Sequence, residues 1–285
     1  VEKVAPSVLA AEDLVPKDVD GVPTDVCETG VLRALDLGPY DRWRPVMVGG
    51  VSIGHYGGAT GTFGCLVQHG GERYMLSNNH VLADQNQGRM GDAIYQPGPA
   101  DGGTMNDHIA VLADYVPIDF GASPAECAVA QWTAKALNAL AGVVGSSHRL
   151  QAIKETEGWN AVDAALARPL DPDSVSSEIL YIGQPTGTGS AALGSAVQKT
   201  GRTTGLTHGT VTQIEATMRI DYRGRSALFS DQYVTNAFSQ PGDSGSAVLD
   251  AEKRVVGLLF AGSDTVTIVN PIDGVLSALN IELAL

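Results

Sequence analysis

The chain has 285 residues, of which 44% are hydrophobic and 18% are charged. This composition is typical of a globular protein, and the length suffices for one large domain or two small ones. The formal net charge of −14 gives a surface that repels nucleic acid and anionic membranes, so we expect neither as a partner. No apolar run reaches the roughly 18 residues that a membrane-spanning helix needs.

The N-terminal residues and the cysteines predict a cytoplasmic protein. Residues 1–20 lack the basic start and the apolar core of a secretory signal. The three cysteines, Cys27, Cys65 and Cys127, have wide spacing and an odd number, which suggests neither a metal site nor a disulfide framework. We therefore expect free thiols, as is usual in a reducing compartment.

The pattern of elements predicts an all-β fold with one inserted helix. Residues 1–45 are mixed in composition and resemble an arm or lead-in rather than a domain. From residue 46 onward, short β-prone runs alternate with Gly-rich or charged turns, which is typical of an antiparallel sandwich or barrel. Residues 123–144 are Ala-rich with apolar residues at helical spacing, and we expect Ser123 to cap this helix and Gly142 to end it.

The motif PGDSGS at residues 241–246 has the features of a nucleophile turn. A serine hydroxyl becomes a good nucleophile when a base takes its proton and when donors stabilise the developing oxyanion. Glycine on both sides permits a tight turn that exposes Oγ and directs backbone N–H groups into one small space. We therefore expect Ser244 to be the nucleophile and the amides of Gly242 and Ser244 to form an oxyanion hole. Small polar residues also make ordinary turns, so the motif alone is moderately specific.

A serine nucleophile needs a histidine base and an acid that orients it. Among six histidines, His80 in SNNHV closes a β-prone run, where a rigid strand presents it to a cleft. Two acids are candidates for the third position, Asp107 in DHIAVL and Asp163 in NAVDAALA. Each can begin a buried strand whose first residue reaches the histidine, and the spacing alone does not choose between them.

Five ordered motifs over most of residues 46–285 give a resemblance to a known family: GTFGCLV, LSNNHVLAD, NAVDAALARP, VQKTGRTTGLTHGTV and GDSGSAVLD. The chain resembles the trypsin-like serine peptidases, and more closely the bacterial relatives of the plant narrow-leaf protein. The resemblance implies two packed antiparallel β-barrels with the site in the crevice between them. It also implies His80 as base, Ser244 as nucleophile and Asp163 as acid, because the family's acid lies in an Asp-small-small-apolar run before GRTTG.

The chain departs from trypsin at two structural positions. Val81 follows His80 where trypsin has a cysteine, so a disulfide from Cys65 to this position is not expected. Phe260 stands where these enzymes usually have a serine that supports the acid, so we expect the acid to be solvated differently. Residues 48–54, VGGVSIG, only faintly resemble the freed N-terminus that orders the pocket in trypsin-like enzymes, and we interpret them as a plain first strand.

The resemblance also implies a substrate pocket. Phe238 stands at its base, and Phe260, Ala261 and Gly262 form its wall. Because no acid stands at position 238, we expect a small or apolar substrate side chain rather than lysine or arginine.

Together these features predict a serine endopeptidase that acts through an acyl-enzyme, with no metal and no organic cofactor. Its domain is predicted over residues 46–285, with a first barrel near 46–170 and a second near 180–275. The alternatives are a catalytically silent peptide-binding or scaffold module of the same fold, and an esterase-like acyl hydrolase. The expected partner is a protein or peptide substrate. The arm and the helix at 123–144 are both extra to the barrels, so they are candidate docking sites for a second copy or a regulatory partner.

Overall fold

Strands are the main secondary structure of the computed structural model, which describes residue 10 and residues 14–24, 37–155 and 158–285. The chain divides into two units, residues 1–37 and residues 38–285. The described part of the first unit contains a hairpin of β1 (Asp18–Val19) and β2 (Val22–Pro23). At its turn, the Gly21 amide donates to Asp18 Oδ1 at 2.8 Å.

The second unit contains the remaining strands and the helices. Its strands in chain order are β3 (Met47–Gly49), β4 (Ser52–His55), β5 (Thr60–Thr62), β6 (Cys65–His69), β7 (Glu72–Ser77), β8 (Ala93–Tyr95), β9 (His108–Tyr115), β10 (Ala122–Pro124), β11 (Ile153–Glu155), β12 (Trp159–Asn160), β13 (Ala165–Pro169), β14 (Val175–Ile179), β15 (Gly187–Thr188), β16 (Ala196–Gly201), β17 (Gly205–Tyr222), β18 (Arg225–Asn236), β19 (Ala247–Leu249), β20 (Arg254–Gly262), β21 (Val266–Pro271) and β22 (Glu282–Leu283). The α-helices are α1 (Asn79–Leu82), α2 (Ala128–Val143) and α3 (Ile272–Leu279), and three 3-10 turns lie at Pro99–Asp101, Met105–Asp107 and Pro172–Ser174.

Two large sheets are built from these strands. The first sheet is an antiparallel path in the order β22-β6-β7-β13-β9-β8-β4-β5. The second closes into a ring, because β21 pairs with both β18 and β20 while β18-β17-β16-β19-β20 forms a continuous antiparallel path. Short parallel strands extend it, β12 beside β18 and β15 beside β20. Closure of the ring leaves few unpaired edges in this half of the unit.

The hydrophobic patterning explains why each sheet is covered. Strand β20, RVVGLLFAG, is buried from Val255 to Phe260, as expected for a strand covered on both faces. The first sheet surrounds a core that includes Phe63 and Ile53, and the ring surrounds clusters that include Phe229 and Val269. Each sheet therefore has its own hydrophobic core, and a further buried cluster that includes Leu76 and Leu258 joins the two sheets, as expected for two packed barrels.

The inserted helix has different bounds from those predicted. α2 begins at Ala128 after Cys127, and residues 122–124 instead form β10, which pairs antiparallel with β11. The prediction of a helix over 123–144 with Ser123 as its cap was therefore wrong at the start, because Ser123 lies in an extended ladder. The helix ends at Val143, one residue beyond the expected Gly142, and none of its residues is buried. No helix among the described residues is long and apolar enough to cross a membrane.

Candidate active site

His80 is carried by α1, the short helix that directly follows strand β7. Val81 and Leu82 on the same helix are fully buried, which anchors it to the core of the first sheet. The Asn79 side chain donates to the Val116 carbonyl at 2.7 Å and to Asn86 Oδ1 at 2.8 Å. These contacts fix the helix, while the His80 side chain stays 15% exposed and accessible from the cleft.

Asp163 lies directly against His80 and is fully buried. Its Oδ2 atom is 2.6 Å from His80 Nδ1, and its Oδ1 atom accepts the His80 backbone N–H at 3.2 Å. The Asp163 backbone is itself held, since its N–H donates to Asn270 Oδ1 and its carbonyl accepts from Asn78 Nδ2. A carboxylate only accepts hydrogen bonds, so the proton on the imidazole sits at Nδ1 and leaves Nε2 available as a base.

A third side chain reaches the same carboxylate. The Tyr222 hydroxyl donates to Asp163 Oδ2 at 2.8 Å from the end of β17. The tyrosine is buried, and its pKa is raised by that burial and by the neighbouring Asp163 charge, so it stays protonated and donates. Tyr222 was not among the site residues predicted from the sequence. Its signal was weak: a tyrosine followed by Arg-Gly, a dipeptide that suits a two-residue hairpin turn.

The alternative acid, Asp107, binds Arg42 and Thr104 rather than His80. Its carboxylate binds the Arg42 guanidinium at 2.5 and 2.9 Å and closes a capping box with Thr104. The hydrogen bond from Arg42, together with those from Thr104, lowers the pKa of Asp107 to about 2. Among the described residues no hydrogen bond joins Asp107 to His80, so its position is that of a structural ion pair.

A second histidine–aspartate pair, His55 with Asp92, lies on the first sheet. His55 Nε2 is 3.0 Å from Asp92 Oδ2, and the Gly57 amide donates to His55 Nδ1 at 3.3 Å. Both ring nitrogens are therefore engaged, and the imidazole has no free nitrogen to accept a proton from a nucleophile. This pair is better explained as part of the β4 hairpin than as a catalytic dyad.

The nucleophile turn depends on its two glycines. Gly242 and Gly245 have φ values of +101° and +95°, in the region that favours glycine. A Cβ at Gly242 would lie 2.4 Å from Thr203 Oγ1, and one at Gly245 would lie 2.1 Å from Ser77 Oγ. Glycine is therefore required at both positions by conformation and by space.

Asp243, between these glycines, is a buried hub of the turn. Its carboxylate accepts the backbone N–H groups of Thr203, Thr204 and Gln240 at 2.9 to 3.1 Å and the Thr204 hydroxyl at 2.7 Å. The buried Lys199 ammonium lies 3.3 Å away and compensates its charge. Burial lowers the pKa of Lys199, and the Asp243 carboxylate acts against that change. The turn is therefore ordered by a charge pair within the second sheet.

Ser244 lies beside the His80 helix, with Gly61 between them. A Cβ at Gly61 would lie 2.5 Å from Val81 Cγ2 and 2.7 Å from the Ser244 carbonyl oxygen. The Ser244 hydroxyl donates to the Phe260 carbonyl at 3.4 Å, and no hydrogen bond joins it to His80 within the part of the chain that the structure describes. In the same part, the backbone N–H groups of Gly242 and Ser244 have no protein acceptor.

The predicted pocket residues occupy different surroundings. The side chains of Phe238 and Phe260 are buried in two separate core clusters, so each contributes backbone rather than an open surface. Ala261 is half-buried and Gly262 is exposed. Ser239 was not predicted as a neighbour of the pocket. Its hydroxyl lies 2.7 Å from Thr267 Oγ1 and 3.3 Å from the position that a Cβ on Gly262 would take.

The family model of the trypsin-like peptidase domain matches residues 60–258, a segment that includes His80, Asp163 and Ser244. The chain belongs to the trypsin-like peptidase family. Within this family it is similar to serine protease 2 of Streptomyces fradiae, with 42% identity over 78 residues, and to streptogrisin-A of Streptomyces griseus, with 36% identity over 105 residues.

These matches are partial. They cover 27% and 35% of this peptidase-family chain, and 42% and 34% of the two relatives, so less than half of each curated relative is spanned. Solved structures give the fold over a larger share. Thermobifida fusca protease A matches with a TM-score of 0.53 at 19% identity, covering 84% of this chain and 99% of its own. Cellulomonas bogoriensis chymotrypsin matches with a TM-score of 0.51 at 19% identity, and the match covers 83% of this chain and 97% of that protein. The predicted trypsin-like fold of two β-barrels is confirmed.

The prediction about trypsin's histidine-loop disulfide also holds for the described cysteines. Cys65 is buried and free, and Val81 packs in the core where trypsin has the partner cysteine. Burial raises the pKa of the Cys65 thiol to about 12, which makes it unreactive at neutral pH. Cys127 is free and exposed, and Cys27 lies outside the described residues.

Proposed function

We propose that this chain is a serine endopeptidase in which His80, Asp163 and Ser244 hydrolyse peptide bonds through an acyl-enzyme. The observation that carries the proposal is the 2.6 Å contact between His80 Nδ1 and the fully buried Asp163 carboxylate. A buried aspartate in this position fixes the tautomer of the imidazole and stabilises its cation during the reaction. In the proposed enzyme the Nε2 atom, which has no hydrogen-bond partner among the described residues, accepts the proton of the nucleophile.

The mechanism follows from these groups. His80 Nε2 takes the Ser244 proton as Oγ attacks the peptide carbonyl, and the oxyanion forms beside the N–H groups of Gly242 and Ser244. His80 then gives the proton to the leaving amine, whose C–N bond breaks. Water, activated by the same nitrogen, hydrolyses the ester and releases the acid. Support for the oxyanion role comes from the absence of a protein acceptor for either amide in the described residues.

One observation favours the second candidate, a catalytically silent peptide-binding module. The Ser244 hydroxyl donates to the Phe260 carbonyl rather than to His80. In the proposed enzyme this hydroxyl rotates toward Nε2 when substrate binds, as catalytic hydrogen bonds in free enzymes often tighten only in the complex. In the silent module it keeps its contact with Phe260.

Labelling with a fluorophosphonate probe separates these candidates. We expect the wild-type protein to be labelled on Ser244 and to cleave casein, because an activated serine attacks both. Ser244→Ala should lose both reactions with an unchanged circular dichroism spectrum. A folded wild-type protein that takes no label contradicts the peptidase proposal. Labelling with turnover of small esters but no cleavage of casein or peptide libraries identifies an esterase-like hydrolase.

The assignment of the acid has its own test. Asp163→Asn should reduce the labelling rate by about 10⁴-fold, because the amide favours the wrong histidine tautomer. Asp107→Asn should leave that rate within about threefold of wild type, because its carboxylate binds Arg42 rather than His80. Equal losses in the two variants, measured at matched folded fractions, would show that Asp163 has no special role.

Several finer points remain proposals. A small or apolar substrate side chain is supported by the absence of an acid at Phe238, and a peptide library with varied residues before the cleaved bond tests it. The relation to bacterial relatives of the narrow-leaf protein and the cytoplasmic location come from the sequence alone. A second copy or regulator at α2 is supported by the fact that none of the residues of this helix is buried. An elution volume matching a monomer would count against self-assembly.

A further inference from the structure

The longest hairpin among the described residues ends at the candidate active site. Strands β17 and β18 span Gly205–Tyr222 and Arg225–Asn236, with Tyr222 paired to Arg225 at the tip. The two turn residues, Arg223 and Gly224, have φ values of +55° and +91°. Positive φ at both central residues defines the tight turn that continues the right-handed twist of its strands. The hairpin therefore presents Tyr222 and Arg225 as a defined pair at its end.

Each residue of this pair contacts the neighbourhood of His80. The Tyr222 hydroxyl donates to Asp163 Oδ2 at 2.8 Å. Arg225 Nη2 donates to Gln85 Oε1 at 2.9 Å, in the loop that follows the His80 helix. The Arg225 guanidinium also lies 4.0 Å from the centre of the Phe120 ring, close enough for a cation–π contact.

The loop at residues 84–86 accepts the hydrogen bond from the hairpin tip and has a defined backbone conformation. Asp84, Gln85 and Asn86 have φ values of +44°, +56° and +72°, three successive residues in a region that side-chain-bearing residues rarely adopt. The loop keeps this conformation because Asn86 is held by Asn79 of the His80 helix in a reciprocal pair of hydrogen bonds. A contact to Gln85 is therefore a contact to the segment that carries the histidine.

The tyrosine shares its acceptor with the histidine. Asp163 Oδ2 receives both the His80 Nδ1 contact and the Tyr222 hydroxyl. The two rings meet edge to face, with centroids 5.8 Å apart and planes at 66°. His80 and Tyr222 are the titratable groups in contact with this carboxylate in the described residues. A donor at that oxygen fixes the plane of the carboxylate and takes up part of its negative charge.

We propose that Tyr222 is a positioning residue for Asp163, and that docking of the β17–β18 tip through Arg225 controls whether it is in place. The proposal rests on the proposed function, since it assigns regulation to the same site. With the tip docked, the carboxylate is held in line with the imidazole. When the tip moves away, the phenol moves with it, and the Asp163 carboxylate keeps only its contacts from His80.

The first test follows the imidazole rather than activity. Nuclear magnetic resonance of the His80 ring during a pH titration compares wild type with Tyr222→Phe. Without the phenol, the charge on Oδ2 is directed at the imidazole alone, which favours its cation. We expect the titration midpoint of the ring to rise by about 0.5 to 1 pH unit in this variant. Tyr95→Phe is the matched control, because Tyr95 is also buried but contacts His108 rather than the site.

The second test examines docking. Arg225→Ala should shift the midpoint in the same direction by a smaller amount, since the tip is loosened but the phenol remains. Arg223→Ala removes an equal charge from the same turn, and Arg223 is exposed and contacts neither Gln85 nor Phe120 in the described residues, so we expect no shift. Equal shifts in both arginine variants would attribute the effect to charge and overturn the docking role.

Labelling by the fluorophosphonate distinguishes failure of this inference from failure of the proposed function. We expect the labelling rate to fall about tenfold in Tyr222→Phe, with the acidic limb of its pH profile moved to higher pH. A wild type that never labels rejects the peptidase function, while the ring titration still decides the role of Tyr222. A folded Tyr222→Phe variant that matches wild type in midpoint and rate overturns the inference.

Discussion

Asp107 and Asp163 are two buried carboxylates with different partners, and the partners determine what each can do. Asp163 faces an imidazole and a phenol, both of which donate to one of its oxygens. Asp107 faces the Arg42 guanidinium and the Thr104 cap, a set of contacts that stabilises a permanent negative charge. A proton-transfer role needs a partner that changes its protonation state near neutral pH, and arginine does not.

The Asp107 contacts predict a pH dependence of stability. Its carboxyl titrates near 3.9 in an unfolded chain and at about 2 in the folded protein. Because the folded pKa is the lower one, the ionised group stabilises the fold above about pH 4, and this contribution is lost as the pH falls toward 2. Asp107→Asn should therefore lower the Tm by about 3 °C at pH 7, and the difference should close between about pH 4 and pH 2.

Thermal unfolding followed by circular dichroism across this pH range checks the Asp107 prediction. Asp264→Asn is the matched control, since Asp264 is exposed and has no hydrogen bond within the described residues. A difference between Asp107→Asn and wild type that stays constant from pH 7 to pH 2 would contradict the ion-pair explanation.

Individual strands and turns could be predicted where local sequence patterns determine them. The strand and turn signals identified the segments of both sheets, because β-branched runs and glycine turns act locally. The start of α2 was not predictable, because the β10–β11 ladder takes residues 122–124 through a partner some thirty residues away in sequence, and the pairing overrides their suitability for a helix. The sequence pattern of residues 123–144 contains no signal of that pairing.

The site shows the same division between local and long-range signals. The motifs around His80, Asp163 and Ser244 are each a short contiguous segment of the sequence, so they could be found by inspection. Tyr222 could not, because its role depends on how far the β17–β18 hairpin extends and on which residue occupies its tip. Phe260 at the usual serine position indicated that the acid is solvated differently, but it gave no information about which group contacts the acid.

At the scale of the whole unit, the nucleophile turn of the second sheet is bonded to a strand of the first. Thr62 on β5 accepts the Arg202 amide at 3.0 Å and donates to the Gly242 carbonyl at 2.9 Å through one hydroxyl. The Thr62 amide donates to the Ser244 carbonyl at 2.8 Å. Arg202 also binds the carboxylate of Asp101, whose hydrogen bond raises the pKa of the guanidinium. Hydrogen bonds from both sheets therefore fix the geometry of the nucleophile turn.

Thr62→Val tests this connection, because it keeps the shape of the side chain and removes the hydroxyl. We expect the labelling rate to fall about tenfold, since the Gly242 peptide loses its donor and the oxyanion site loses its fixed orientation. Thr60→Val on the same strand is the control, because its hydroxyl accepts from Ala100 and not from the nucleophile turn. Equal rates in the two variants, both folded, would show that the Thr62 hydroxyl does not orient the turn.

The buried pair of Lys199 and Asp243 has a consequence for the timing of activity. In enzymes whose nucleophile turn is ordered by a freed terminus, a proteolytic cut is needed and cannot be reversed. Here the neutralising ammonium belongs to strand β16, so the turn is ordered as soon as the second barrel folds. A charge that the barrel itself supplies therefore orders the nucleophile turn, and this contact is made without cleavage of the chain.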